Sequence, residues 1–264
     1  MPSLKCRSTS FMCGWRRARS ARGSRASTRL SVFIGSTFQS RHNCHVSATE
    51  HKHSSARSDA SAPPGAVVVI GFSAGGLPPL RQLMSGLAPP IDAAIVIAHH
   101  ATRSFLPDLL PLWSRVPAGF ASNGERLRSG RAYVCPPDSH LVVNPDATLS
   151  LSSRERIKFV RPSIDWLFDS ASATYRERTI AVLLSGGMGD GAIGARRVRE
   201  RGGCVIVQTP DTATQPAMPR AAAPVANLEI DPEQLAKAVM FQLGGIETER
   251  AVAEWTYPFG TLPG

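Results

Sequence analysis

The chain lacks what several large protein classes need. No apolar run approaches the roughly 18–20 residues of a membrane-spanning helix. The longest, Ala93 to Ala98, has the length of a buried strand. Cysteine is sparse, odd in number and scattered over Cys6, Cys13, Cys44, Cys135 and Cys204, with no C-x-x-C pair. This argues against a disulfide framework and for free thiols in a reducing, cytoplasmic setting. Cys135 and Cys204 lie in apolar strand-like runs and are expected to be buried packing. Histidine thins out along the chain. Four of the seven (His42, His45, His51 and His53) fall before residue 60, at a spacing that suits no defined metal geometry. Only His99, His100 and His140 remain beyond it.

Basic charge is abundant only in one place. The net charge is +10 and the pI about 10.1, which invites a nucleic-acid reading. Yet residues 1–60 hold eleven basic side chains against two acids, Glu50 and Asp59, a net of +9. The other 204 residues hold 19 basic and 18 acidic side chains. A basic extension on a nearly neutral domain is therefore expected, which argues against nucleic acid as a partner and leaves it open for the basic tail only. The extension, 1–64, is rich in Arg, Ser and Ala and reads as disordered. It fits a spacer or start-site artefact, a basic arm for an acidic partner, or a targeting segment. Arg16-Arg17 hints at a twin-arginine signal, but no apolar stretch of the required length follows.

Ser61-Ala62-Pro63-Pro64-Gly65 marks the boundary of a domain over 65–243, followed by a tail over 244–264. Ala66 to Ile70, Ala93 to Ala98, Thr179 to Leu184 and Cys204 to Val207 are continuous apolar runs, the signature of strands buried on both faces. Between them, Leu77–Leu87, Ser104–Trp113, Pro162–Ala173, the Arg-rich stretch after Gly191, Gln215–Ala223 and Pro232–Phe241 read as helices. The alternation predicts an α/β fold, a doubly wound, mostly parallel sheet with helices on both faces. Residues 132–151 are expected as short antiparallel strands, a hairpin that extends one edge of the sheet.

Sites in such sheets form at the carboxyl ends of the strands. Three ends carry polar chemistry: Ser73, His99-His100 and Asp190. A serine, a histidine and an aspartate so placed fit nucleophilic acyl transfer. A hydroxyl needs a base, and the imidazole needs a carboxylate to fix its tautomer. Gly71-Phe72-Ser73-Ala74-Gly75 also matches the strand-to-helix turn G-x-S-x-G. Each residue has a plainer role open to it: Ser73 and Asp190 as helix N-caps, the histidines as satisfied strand ends. Chain order excludes the usual α/β-hydrolase triad, because no histidine follows Asp190. A dinucleotide fingerprint is excluded too, since Ser73 stands where its glycine is needed.

Over about residues 66–230 the chain resembles the catalytic domain of the bacterial chemotaxis protein-glutamate methylesterases, the CheB-type family. The resemblance rests on Ile70–Gly76, Ala98-His99, Gly124-Glu125, Tyr133–Leu141, Arg161–Asp165, Leu184–Ala192 and Met218–Ala221. It implies Ser73 as nucleophile, His99 as base with His100 as competitor, and Asp190 as orienting acid. Backbone donors for the oxyanion would come from Ala74, Met188 and Gly189. The implied reaction is hydrolysis of glutamate γ-methyl esters on a methylated chemoreceptor or similar helical signalling protein, with glutamine deamidation as a further activity. No cofactor or metal is implied. His140 falls outside the implied triad. Ala74 stands where the family often has Thr, and Met188-Gly189-Asp190-Gly191 where it often has Gly-Asn-Asp-Gly. Well-known members also carry a receiver domain of about 120 residues, which the first 60 residues cannot hold. Control by phosphorylation in cis is thus expected to be absent, and a catalytically inactive binding module is the alternative reading.

Overall fold

The computed structural model describes residues 63–244. The basic extension, save Pro63 and Pro64, and the tail beyond Gly244 lie outside the described residues. Seven strands form one parallel sheet in the order β3-β4-β2-β1-β7-β8-β9. They are β1 (Ala66–Phe72), β2 (Ala93–His99), β3 (Ala118–Phe120), β4 (Ala132–Val134), β7 (Thr179–Leu183), β8 (Cys204–Gln208) and β9 (Leu228–Ile230). A second, two-stranded antiparallel sheet pairs β5 (His140–Val143) with β6 (Leu149–Ser152). The helices are α1 (Leu77–Gly86), α2 (Leu106–Trp113), α3 (Ile164–Tyr175), α4 (Ala192–Glu200), α5 (Ala217–Ala222) and α6 (Leu235–Gln242). Among the described residues no helix is long and apolar enough to cross a membrane.

Strand alternation sorts the core into two layers. Val68, Ile70 and Phe72 of β1 and Ala93, Ile95 and Ile97 of β2 face the layer that includes Leu80, Leu83 and Met84 of α1, Leu106 and Leu110 of α2, and Val239 of α6. Val67 and Val69, with Ala94, Val96 and Ala98, face the layer of α3, α4 and α5, including Phe168, Val198 and Met218. All seven residues of β1 are buried. Burying one such aliphatic side chain contributes about 1.5–3 kcal/mol, so the central strands anchor whatever their ends carry.

The hairpin corrects one expectation. β5 and β6 do not extend the sheet edge; Leu141, Val143 and Leu149 belong to the second layer, with β5 packed on α3. β4, expected as antiparallel, lies between β3 and β2 and pairs parallel to both. Its neighbour Ala118-Gly119-Phe120 is three residues long and has no β-branched side chain, so it left no strand signal.

From β1 the chain builds outward through β2, then returns to β7 on the other side of β1. The helix after β1 packs in the first layer and the helix after β7 in the second. The connections diverge there, which makes the carboxyl ends of β1 and β7 a topological switch point, the place where sites of such sheets form.

Candidate active site

Ser73 is the first residue after β1 and sits at that switch point. Its turn is braced from β7: the Ser73 N–H donates to the Ser185 carbonyl at 2.9 Å, and Ser185 Oγ donates to the Ala74 carbonyl at 2.8 Å. Ser185 Oγ also accepts from the Gln215 N–H at 2.9 Å, and Gln208 Oε1 accepts the Ser185 N–H at 3.0 Å. Gly75 adopts φ +79°, and a Cβ there would lie 2.5 Å from Thr214 Cβ and 2.7 Å from Ser185 Oγ. A side chain is excluded on both counts. Pro78 and Pro79 deprive the first turn of α1 of two N–H groups. Donors for an anion at this turn therefore come from its loop, where the Ala74 N–H has no hydrogen-bond partner among the described residues.

β1 and β2 are in register, with Phe72 opposite His99, and the His100 N–H donates to the Phe72 carbonyl at 3.3 Å. Ser73 and His100 are thus the next pair along two strands that lie about 4.8 Å apart. Alternation then divides the two histidines. His99 continues the series Ala93, Ile95, Ile97 into the first layer, where it stacks on Phe72 with centroids 5.0 Å apart and planes 14° apart. His100 continues Ala94, Ala98 into the second layer, the layer of α3 and of the α4 that follows Asp190.

Asp190 is 2 % exposed and receives four hydrogen bonds. His100 Nε2 lies 2.9 Å from Oδ2, which also accepts the Ile164 N–H at 2.7 Å. The Asp165 N–H (3.1 Å) and the Ser163 hydroxyl (3.3 Å) reach Oδ1. The carboxylate therefore caps the N-terminus of α3, where free N–H groups and the helix dipole favour negative charge. Burial, the largest influence, pushes its pKa up. The bonds from His100, Ile164 and Asp165 outweigh it and hold the group below the ordinary carboxylate value. An ionised Asp190 makes Nε2 the protonated nitrogen of a neutral His100 and leaves Nδ1 as an acceptor.

The expected pairing of Asp190 with His99 is thus not what forms: His100 holds that place. His99 has a buried Nδ1 with no hydrogen-bond partner. Burial, reinforced by His100, lowers its pKa to about 4. It has no carboxylate to orient it.

Met188 and Gly189 lie exposed in the loop before Asp190, and their N–H groups have no partner among the described residues. Gly191 follows at φ +96°, where a Cβ would meet Leu183 Cδ1 at 2.7 Å. That left-handed residue turns the chain from Asp190 into α4.

Several contributors were not legible as site residues. Ser163 caps α3 in extended conformation, its Oγ accepting the Trp166 N–H at 3.3 Å. A serine between Pro162 and an apolar helical run is the signal that marks it. His140 is fully buried and holds Ser163 in turn. Its Nδ1 accepts the Ser163 N–H at 3.1 Å, and its Nε2–H donates to the Glu155 carbonyl at 3.1 Å. Its structural placement agrees with the sequence reading. Among the described residues no group of three or more His, Cys, Asp or Glu is arranged to hold a metal.

Comparison with known proteins gives the same domain. Residues 68–239 match the family model described as CheB methylesterase. A Leptospira interrogans relative is 38% identical over 158 residues, 59% of this chain and 82% of its own length. The Thermotoga maritima protein named protein-glutamate methylesterase/protein-glutamine glutaminase is 34% identical over 59% of this chain and 47% of its own. A Bordetella avium protein of the same name, numbered 1, is 35% identical over 67% and 52%. This chain thus spans about half the length of several relatives. The crystal structure of the Thermotoga maritima CheB methylesterase catalytic domain superposes with a TM-score of 0.64 at 29% identity, covering 69% of this chain and 99% of that one. The parallel sheet, its serine turn and these matches together place the chain in the CheB methylesterase family.

Proposed function

We propose that the domain is a serine hydrolase that removes methyl groups from glutamate γ-methyl esters on a methylated chemoreceptor or similar signalling protein, in the cytoplasm. Ser73 Oγ attacks the ester carbonyl while His100 Nδ1 takes its proton. Asp190 stabilises the imidazolium that forms. The tetrahedral oxyanion is met by the Ala74 N–H, with Met188 and Gly189 on the facing loop. Collapse expels methoxide, which takes the proton back from His100 and leaves as methanol. Water, activated by the same imidazole, then hydrolyses the glutamyl–Ser73 ester to free carboxylate. A glutamine amide enters the same cycle and releases ammonia.

One observation carries this reading: His100, on the strand neighbouring Ser73, is held at 2.9 Å by a carboxylate that is itself fixed at the N-terminus of α3. The test is methanol release from methylated receptor by the full chain. Wild type should release it and Ser73→Ala should fall by on the order of 10⁴-fold or more. No release by wild type, or equal release by the variant, contradicts the reading. A fluorophosphonate probe separates an enzyme from a non-catalytic docking module, which would leave Ser73 unlabelled.

A further inference from the structure

Residues 153–161 carry costs that the fold does not explain. Ile157 and Val160 exchange both backbone hydrogen bonds, at 3.1 and 3.0 Å, closing a two-residue turn. Its central residues, Lys158 and Phe159, both sit in the left-handed region, at φ 49° and 69°. Such turns ordinarily use Asn-Gly or Asp-Gly, because L side chains are strained there and bulky ones most. Phe159 is nevertheless 89 % exposed, so it buries almost nothing in return.

The strain is held from outside. Arg161 Nη1 donates to the carbonyls of Ser153 and Arg154, both at 2.7 Å. His140 holds the Glu155 carbonyl, and Lys158 Nζ reaches Asp165 Oδ2 at 2.7 Å. Asp165 is also a donor to Asp190. The strap is thus pinned to the same N-terminus of α3 that carries the acid of the site. Beside it lies an open cavity of about 580 Å³ lined by Arg154, Glu155, Ile157 and Trp166. Strain kept in place by several ties, at an exposed apolar tip beside a cavity, is the pattern of a ligand clamp.

Its charge defines the occupant. The nine residues hold Arg154, Arg156, Lys158 and Arg161 against Glu155 alone. Arg156 and Arg161 lean on Asp138 and Lys158 on Asp165, while Arg154 makes no ion pair among the described residues. An apolar tip in a basic surround complements an acidic polypeptide segment that offers one apolar side chain. We propose that the 153–161 strap docks the acidic stretch of the substrate protein that flanks the scissile glutamyl ester. This rests on the reading under Proposed function and adds how the protein substrate is held.

The test measures methanol release by the full chain from a soluble, methylated chemoreceptor cytoplasmic fragment without lipid, and Ser73 labelling by a small fluorophosphonate. Phe159→Gly removes the tip and relieves the turn, so folding is not at risk. Arg154→Glu reverses the free charge. Each should raise KM by about tenfold or more at unchanged kcat, with the labelling rate unchanged. Phe159→Tyr should retain the wild-type KM. A KM within twofold of wild type in both Phe159→Gly and Arg154→Glu overturns the docking proposal while leaving the esterase reading intact. An effect seen only when the receptor is embedded in anionic lipid vesicles also overturns it, in favour of a lipid surface. A wild type that releases no methanol overturns both.

Discussion

Replacing Asp190 by Asn changes one atom and should damage both stability and rate. The carboxylate accepts on both oxygens, from the Ile164 N–H and His100 on Oδ2, and from the Asp165 N–H and Ser163 hydroxyl on Oδ1. An amide accepts on one. If its NH₂ turns to the Oδ2 side, it confronts the Ile164 N–H. If it turns to the other, it confronts the Asp165 N–H, with only Ser163 Oγ able to accept. Either way one buried backbone N–H is left unpaired, at about 1–3 kcal/mol. Loss of the negative charge at the α3 N-terminus adds about 0.3–1 kcal/mol or somewhat more. The total, about 1–4 kcal/mol, corresponds to a Tm lower by roughly 3–15 °C in a domain of this size. Turnover should fall by on the order of 10⁴-fold, because Nε2–H is no longer enforced and Nδ1 is no longer the sole base. Calorimetry of the full chain and methanol release measure the two effects. A Tm within 1 °C of wild type, or kcat within about tenfold, would refute the assignment of Asp190 as the shared cap and acid.

His99→Phe keeps the stack on Phe72 and removes the orphaned Nδ1, so it should stabilise the domain by about 1 kcal/mol or more at pH 7. In wild type the folded His99 titrates at about 4, below its ordinary value near 6.5. The unfolded chain therefore binds the proton first, and stability falls as pH drops from about 6.5 to 4, by up to about 3 kcal/mol. Urea unfolding at several pH values should show His99→Phe escaping that loss; parallel curves would contradict it. Gly75→Ala should cost about 2–4 kcal/mol through its positive φ and the contact with Thr214, and should slow labelling of Ser73. Cys135, buried and with its thiol pushed up to about 12, should resist alkylation until the protein is unfolded, as read by mass mapping of that residue.

Central strands and their order of chemistry were readable because β1, β2, β7 and β8 are apolar on both faces and end in polar residues. The same property hid the choice of base. A strand buried on both sides has no polar alternation, so nothing in Ala93–His100 says which histidine shares a face with Ser73. Only the observed register, Phe72 opposite His99, settles the parity. The place of Asp190 was readable as a strand end, but not that its charge is held by α3, an element 26 residues earlier in the chain. Ser185 and Gln208 escaped notice for a related reason. Their role is to brace a turn more than 100 residues away, through a serine hydroxyl and a buried amide that have no local signature. The β5–β6 pair was legible as a hairpin from Asn144-Pro145-Asp146, yet its packing on α3 depends on the second layer of the core.

One rate decides which histidine activates Ser73. The fluorophosphonate labelling rate of Ser73 should fall by about 10²–10⁴-fold in His100→Gln and stay within severalfold of wild type in His99→Gln. The reverse order, with His99→Gln disabling the serine and His100→Gln sparing it, would make His99 the base and contradict the pairing of Ser73 with His100.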